Sequence, residues 1–473
     1  MNDNKDLTEG PIVKAILKVF FPVVIANLLQ TAYNITDTFW VGRLGAKAIA
    51  SVSLSFPIFF LLISLVNGFA LAGSILVSQY KGQKNQRMVN YVSAQAITFS
   101  FIASLLITVI GYLVAPKVMP FFTNDSYILE NAVSYLRTIF LGSIFVFSFA
   151  VFQSLMRGVG NPKTPMLIYL VSVILNLILD PIFILGLWDF PKLGVQGAAF
   201  VTVITQATAT IIAVIILCGK KGSIQLHFKD LKPDLKQMKR LIQIGYPASL
   251  EQVVRSFGGM LLVFLVSKFG ADVIAAYGIG MRVFGFVIIP SFALFVTTST
   301  LVGQSLGAGK KERAKKTTQI ALLFGFLLLL IEGTLTFVFA EQLIKVFVND
   351  VNVVNIGKIF VRLMSFSFAF LGIQLVIEGA ANGSGNTKLA MIFAMISLFL
   401  VRIPLAYTLA LAFGLKELGI WLSFPIEIIS LSFVYLYVYF KKVDVWFSHR
   451  LTEEDVLESK TVEAVEIIDS DKD

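Results

Sequence analysis

Apolar residues fill long, nearly unbroken runs of this chain, cut by short polar clusters. The runs lie at about 13–41, 49–79, 91–116, 127–156, 164–188 and 194–219, and after a polar stretch at 220–240 they resume at about 241–267, 273–305, 317–340, 353–381, 388–414 and 418–440. A spanning α-helix needs about 20 consecutive apolar residues. The pattern therefore predicts twelve transmembrane helices. Several runs exceed that length, so tilting, bending or extension past the lipid is expected. Pro22, Pro57, Pro247 and Pro290 fall inside runs and are the expected kink points, because each removes a backbone donor that neighbours must replace.

Composition narrows the class. Of 473 residues, 56% are hydrophobic and 14% charged, against about 25% charged in an ordinary soluble domain. This excludes a disordered chain and a single water-soluble domain, whose core could not hide so many apolar residues. The one cysteine, Cys218, cannot form a disulfide within the chain. The stretch Met1 to Pro11 carries Asp3, Lys5, Asp6 and Glu9 without a signal-peptide cleavage pattern, so the first apolar run is read as a retained helix.

The net charge of +10 is explained by where the basic residues sit. Loops after even-numbered helices hold 18 Lys and Arg, and loops after odd-numbered helices hold 8. By the positive-inside rule the even loops and both termini are cytoplasmic, in a multi-pass protein of the cell membrane. No nucleic-acid partner is implied. From Leu451 to Asp473 there are nine acids and two lysines, so 441–473 is read as an acidic, disordered cytoplasmic tail.

The chain also repeats itself at an offset of 225, without a gap from Pro22 to Met166. Pro22 falls on Pro247, Gly45-Ala46 on Gly270-Ala271, Gln79 on Gln304, Gly82 on Gly307, Asp125 on Asp350, Arg137 on Arg362, and Gly158, Gly160, Asn161 and Lys163 on Gly383, Gly385, Asn386 and Lys388. Chance apolar matching does not supply glycines, prolines and amides at one constant offset. The predicted fold is an all-α integral membrane protein with two pseudo-symmetric six-helix bundles, 1–219 and 241–440, joined by a cytoplasmic linker at 220–240. An even number of helices per repeat makes the repeats parallel, a transporter architecture with its site where the halves meet.

Ionisable groups inside spanning helices cost several kcal/mol and are functional candidates by default. In the first half they are Asp37 and Asp180; in the second, Glu251, Arg255, Arg282, Glu332, Glu378, Arg402 and Glu427. Asn176 and Asp180 are four apart, so they share a helix face, and Thr202 on helix 6 adds a hydroxyl. Two carboxyls, an amide and a hydroxyl suit a small hard cation, which prefers oxygen ligands. They equally suit a proton site, because burial disfavours a carboxyl's charged form. Asp37 falls on Leu262 in the repeat, and Asp180 has no acidic counterpart near Arg402, so the carboxyl pair belongs to the first half alone. Glu251 and Arg255 are also four apart, opposite Ala26 and Gln30 of the first half. They read as an intrahelical ion pair or as a contact for a cationic substrate or coupling ion. Gln30, Asn34 and Glu378 join them as candidates for the substrate cavity or secondary coupling. Arg402 reads as a structural partner for an acid or for helix-end carbonyls, and Arg282, Glu332 and Glu427 as structural or interfacial.

The two histidines, His227 and His449, lie in polar segments. No zinc cluster, nucleotide-binding loop or buried Ser-His-Asp set is available, so an enzyme is not expected, and neither is a cofactor.

At this point the chain resembles the multidrug and toxic compound extrusion (MATE) family over about 7–445. The resemblance is carried by Leu7-Thr8-Glu9-Gly10-Pro11-Ile12, by Pro22 to Gly45 with its Asp37-Thr38-Phe39-Trp40-Val41-Gly42 core, and by Arg157-Gly158-Val159-Gly160-Asn161-Pro162-Lys163-Thr164. Asn176 to Pro181, Gly197-Ala198-Ala199 and Arg402-Ile403-Pro404-Leu405 complete it. It implies a cation-coupled antiporter, working as a monomer by alternating access. Entry of H⁺ or Na⁺ drives export of small organic cations and other drugs, with membrane lipid around it. Asp37, Asn176, Asp180 and Thr202 then match the family's first-half cation site, with Na⁺ possible at Asp37, Asn176 and Asp180. Glu251 matches a helix-7 acid of some members, while Glu378 is offset from the helix-10 acid of sodium-coupled ones. Neutralising the first-half carboxyls is expected to let helix 1 bend near Pro22. The rival reading is a lipid-linked oligosaccharide flippase of the same superfamily, which would need basic residues where this chain has Asp37, Asp180 and Glu251.

Overall fold

The structure, a computed structural model, describes residues 6–219 and 222–448. The described residues form α1 (Ile12–Gly42), α2 (Ala46–Gly82), α3 (Gln86–Val118), α4 (Ser126–Leu141), α5 (Ser143–Gly158), α6 (Lys163–Leu185) and α7 (Val195–Cys218). The second half holds α8 (Leu235–Val266), α9 (Ala271–Gly307), α10 (Lys311–Val338), α11 (Ala340–Lys345), α12 (Val351–Ser365), α13 (Phe368–Gly383), α14 (Thr387–Met395), α15 (Ile403–Tyr407) and α16 (Lys416–Trp446). Wide π-helical turns, Ile396–Arg402 and Thr408–Ala412, flank α15. With α4–α5, α12–α13 and α14–α15 each counted as one crossing, and α11 as a connector, the described helices make twelve spans.

The sequence repeat is a structural repeat. The bounds of α2, moved by 225 residues, are those of α9, and the bounds of α5 are those of α13. The turn into α2 has Gly45 at φ 105°, and the turn into α9 has Gly270 at φ 103°, the left-handed region that favours glycine. Gly158 lies so near α2 that a Cβ there would sit 2.6 Å from the Ser74 carbonyl, and at Gly383 it would sit 2.4 Å from that of Ser299. Arg137 lies 4.7 Å over the Tyr112 ring, and Arg362 lies 5.2 Å over that of Phe337, at equivalent positions.

The breaks between helix pairs are not at proline. Helices α1, α2, α8 and α9 run on through Pro22, Pro57, Pro247 and Pro290. The chain turns by 53° between α4 and α5 and by 50° between α12 and α13. Polar side chains add hydrogen bonds to carbonyls at these breaks. Thr108 Oγ1 donates to the Phe140 carbonyl at 2.9 Å, and Ser367 Oγ donates to that of Met364 at 2.6 Å.

The described residues divide into two compact units. The amino-terminal unit runs from Pro22 to Lys81 and from Asn85 to Ser249; the carboxy-terminal unit holds the stretch up to Phe21, Gly82–Lys84 and the chain from Leu250. The divisions fall inside α1 and α8, beside the repeated prolines. The polar linker belongs to the amino-terminal unit. Asp230 takes a bidentate ion pair from Arg87, Gln95 Nε2 donates to the Asp230 and Lys232 carbonyls, and Tyr91 donates to Asp234 at 2.7 Å. The linker is thereby fastened along α3, and α8 begins at Leu235, within the range expected for linker. The segment 441–473 begins inside helix α16. Helix α16 continues to Trp446 because Val443, Trp446 and Phe447 are buried beside Tyr439; the rest of that segment lies outside the described residues.

Candidate cation site

Three helices of the amino-terminal unit bring Asp37, Asn176, Asp180 and Thr202 together. Asn176 and Asp180, one turn apart on α6, are fully buried. The Asn176 amide nitrogen donates to Asp37 Oδ1 at 2.8 Å and to Asp180 Oδ1 at 3.1 Å. Thr202 Oγ1, on α7, donates to Asp37 Oδ2 at 3.4 Å. No basic side chain hydrogen-bonds to either carboxyl among the described contacts. Asp180 Oδ2 and Asn176 Oδ1 are buried without a hydrogen-bond partner. Unpaired buried oxygens beside two carboxyls leave a local excess of negative charge that a proton or a small cation would offset.

The pattern reading missed the shell around this set. Tyr33 is buried one turn before Asp37 on α1, and its hydroxyl lies 2.8 Å from Thr205 Oγ1. Ser172 Oγ donates to the Thr205 carbonyl at 3.3 Å. Tyr135 packs beside Val41 and Ile184, and the Tyr169 ring lies 6.1 Å from that of Tyr33. Helical spacing carried the signal: Tyr33 and Asp37 are four apart, and Thr202 and Thr205 three apart. Gln30 and Asn34 have exposed side chains on α1 and do not join the cluster.

The carboxy-terminal unit has its own acid pair. Glu251 on α8 and Glu378 on α13 are buried, 5% and 2% exposed. Arg255, with 40% of its side chain exposed, reaches between them. Its Nη2 donates to Glu251 Oε1 at 3.1 Å and to Glu378 Oε1 and Oε2 at 2.8 and 2.9 Å; its Nε also donates to Glu251 Oε1 at 3.2 Å. Tyr435 OH donates to Glu378 Oε1 at 2.8 Å. The i, i+4 spacing anticipated the Glu251–Arg255 pair, whereas Glu378 and Tyr435 arrive from distant helices. Separately, Arg402 pairs with the fully buried Glu427, which also accepts from Ser397. These contacts tie the π-helical turn at Ile396–Arg402 to α16.

A cavity of about 730 Å³ opens elsewhere in the amino-terminal unit, between α3, α4 and α7, with Pro116, Glu130, Arg137 and Gln196 among its lining. None of the acids of the two clusters lines it.

The family model described as MatE matches residues 22–182 and 247–408, one match in each repeat. The probable multidrug resistance protein YoeA of Bacillus subtilis is 28% identical over 91% of this chain and 93% of its own length. The multidrug export protein MepA of Staphylococcus haemolyticus is 28% identical over 87% and 90%. A solved outward-facing multidrug resistance MATE family transporter of the MOP superfamily superposes with a TM-score of 0.88, covering 94% of this chain and 99% of that one, at 22% identity.

Proposed function

The chain belongs to the MatE family, multidrug efflux transporters rather than enzymes, and on that premise we propose that it exports bulky, often cationic organic compounds across the cell membrane in exchange for an inward-moving cation. The observation that carries the coupling is the set of half-buried Asp37 with fully buried Asn176 and Asp180, which leaves two buried oxygens unpartnered. Loading it neutralises charge that is costly to keep from water. A cation that binds one conformation better than another shifts the balance between them by that difference in affinity.

The N–H groups donated to both acids stabilise the charged carboxyls, and the absence of a basic partner among the described contacts leaves that charge for a proton to neutralise. The Asn176 amide presents its N–H to both acids, and to ligate Na⁺ it would have to turn its oxygen inward. The oxygen-rich ligand set keeps Na⁺ as the second reading. Both termini are assigned to the cytoplasm by the loop charges, and the monomer is the working unit.

The test is ethidium efflux from vesicles reconstituted with the full chain, under an imposed pH gradient and, separately, a Na⁺ gradient. Efflux is expected under the pH gradient and is lost in Asp37→Asn. Undiminished efflux in Asp37→Asn under both gradients would refute the assignment.

A further inference from the structure

The acid pair of the carboxy-terminal unit has the chemistry of a second cation site, but a cation already lies in it. Two carboxyls from separate helices, both more than nine-tenths buried, converge on one guanidinium, and Tyr435 completes the ring of donors around Glu378. The repeat makes the residues distinctive. At the first-half positions equivalent to Glu251, Arg255 and Glu378 stand Ala26, Gln30 and Gln153, all uncharged. The acids and the arginine thus occur together in the second half alone.

We propose that Arg255 is a tethered resident cation: it occupies the Glu251–Glu378 pair and thereby denies it to an exchangeable proton or metal cation, leaving cation exchange to Asp37 and Asp180. The inference rests on the transporter reading above and deepens it by fixing which acid pair exchanges. The physics is competition. A guanidinium held by its own helix is present at high effective concentration. It makes several charge-assisted hydrogen bonds to the two acids, and it stays charged at any working pH. A free monovalent cation must displace all of those bonds to enter. Arg255 is a positioning and specificity-determining residue here, with no contact to substrate implied.

The experiment counts exchangeable cations on the purified full chain in lipid nanodiscs. The probes are ²²Na⁺ retention and, in parallel, proton uptake by difference titration. Wild type is expected to show one class of exchangeable cation, removed by Asp37→Asn. Arg255→Met is expected to gain about one further cation per chain, as Na⁺ or as a proton, because the emptied acid pair demands compensation. That gain should persist in Asp37→Asn/Arg255→Met and vanish in Arg255→Met/Glu378→Gln. Arg255→Lys retains a tethered charge and should gain nothing.

Two results overturn the proposal. One is an Arg255→Met chain that keeps the Asp37-dependent class, and is therefore folded, yet gains no second class. The other is a wild-type chain with a class of cation that Glu378→Gln removes. If Arg255→Met loses the Asp37-dependent class as well, the single variant Arg255→Gln, measured in the same way, decides between the same two outcomes. Failure of the coupling assignment looks different, since then Asp37→Asn changes no class at all.

Discussion

Two acid pairs lie in equivalent bundles of one chain, and they solve the problem of buried charge in opposite ways. Asp37 and Asp180 are bridged by a neutral amide and leave buried oxygens unpaired. Glu251 and Glu378 are bridged by a guanidinium. An amide cannot cancel charge, so in the proposed reading the first pair takes its counter-charge from an outside cation; the guanidinium cancels about half of the charge of two ionised acids in the second pair at all times. The duplicated frame is shared by both halves, whereas the charged residues are not. Asp37 stands opposite Leu262, and Glu251 opposite Ala26. The largest expected effect follows from this. Asp180→Asn should lower gradient-driven efflux at least about tenfold, a loss of about 1.4 kcal/mol or more in coupling, while Glu378→Gln should lower it far less. Equal losses in the vesicle assay would erase the contrast.

Stability is the next discriminator. Arg255→Met strands two buried carboxyls, and removing one side of a buried ion pair costs about 3 kcal/mol or more. The guanidinium is partly exposed, so the low end of that range is expected. The loss should be recovered when pH falls and the freed acids take protons. Asp37→Asn removes a charge that has no ionic partner and should leave the melting temperature unchanged or higher. Thermal unfolding in detergent at pH 5 and pH 8 checks both.

This contrast also shows where a sequence is legible. Twelve runs of apolar residues and the i, i+4 pairs Asn176/Asp180 and Glu251/Arg255 are legible because the 1.5 Å rise and 3.6-residue turn fix them, and the 225-residue offset is legible from matched glycines, prolines and amides. The partner of Arg255 was hidden: Glu378 lies 123 residues away on another helix, and no local spacing encodes which helices pack. Tyr33 escaped notice although it sits one turn from Asp37, since a tyrosine in an apolar run reads as core. The bends at Gly142 and Phe366–Ser367 lack a proline, and the hydroxyls of Thr108 and Ser367 add hydrogen bonds to carbonyls there. The fastening of the linker was unreadable too, because a polar loop gives no sign of the glutamine that will hold its backbone.

The frame should respond alike in both halves. Gly158→Ala and Gly383→Ala each drive a methyl into a backbone carbonyl, Ser74 or Ser299. Backbone cannot yield as a flexible side chain does, so each should cost about 2 kcal/mol, in the range for overpacking. Matched losses of melting temperature would support a shared frame. A difference between the two of more than about 1 kcal/mol would show that the equivalence is one of sequence only.

The smallest effect tests whether asymmetry reaches outside the membrane. Asp125 and Asp350 cap equivalent helices: Asp125 Oδ1 accepts from the Ile128 N–H, and Asp350 Oδ1 from those of Asn352 and Val353. Lys47 adds an ion pair to Asp125 at 2.8 Å, where the repeat offers Asp272 in its place. The hydrogen bond from the Lys47 ammonium, followed by that of the Ile128 N–H, holds the Asp125 carboxyl below the ordinary carboxylate range. A carboxyl depressed in the folded state stabilises the fold above its unfolded value, and that contribution disappears as pH falls through the depressed one. Asparagine keeps the cap but drops the charge. Asp125→Asn should therefore unfold slightly earlier than wild type at neutral pH, by an amount that shrinks with added salt and vanishes in acid. Asp350→Asn, with its cap intact and no Lys47 to lose, should not share that salt dependence. Thermal scans across salt would separate the two, and a matching salt dependence in Asp350→Asn would show that the caps, not the Lys47 bridge, set the difference.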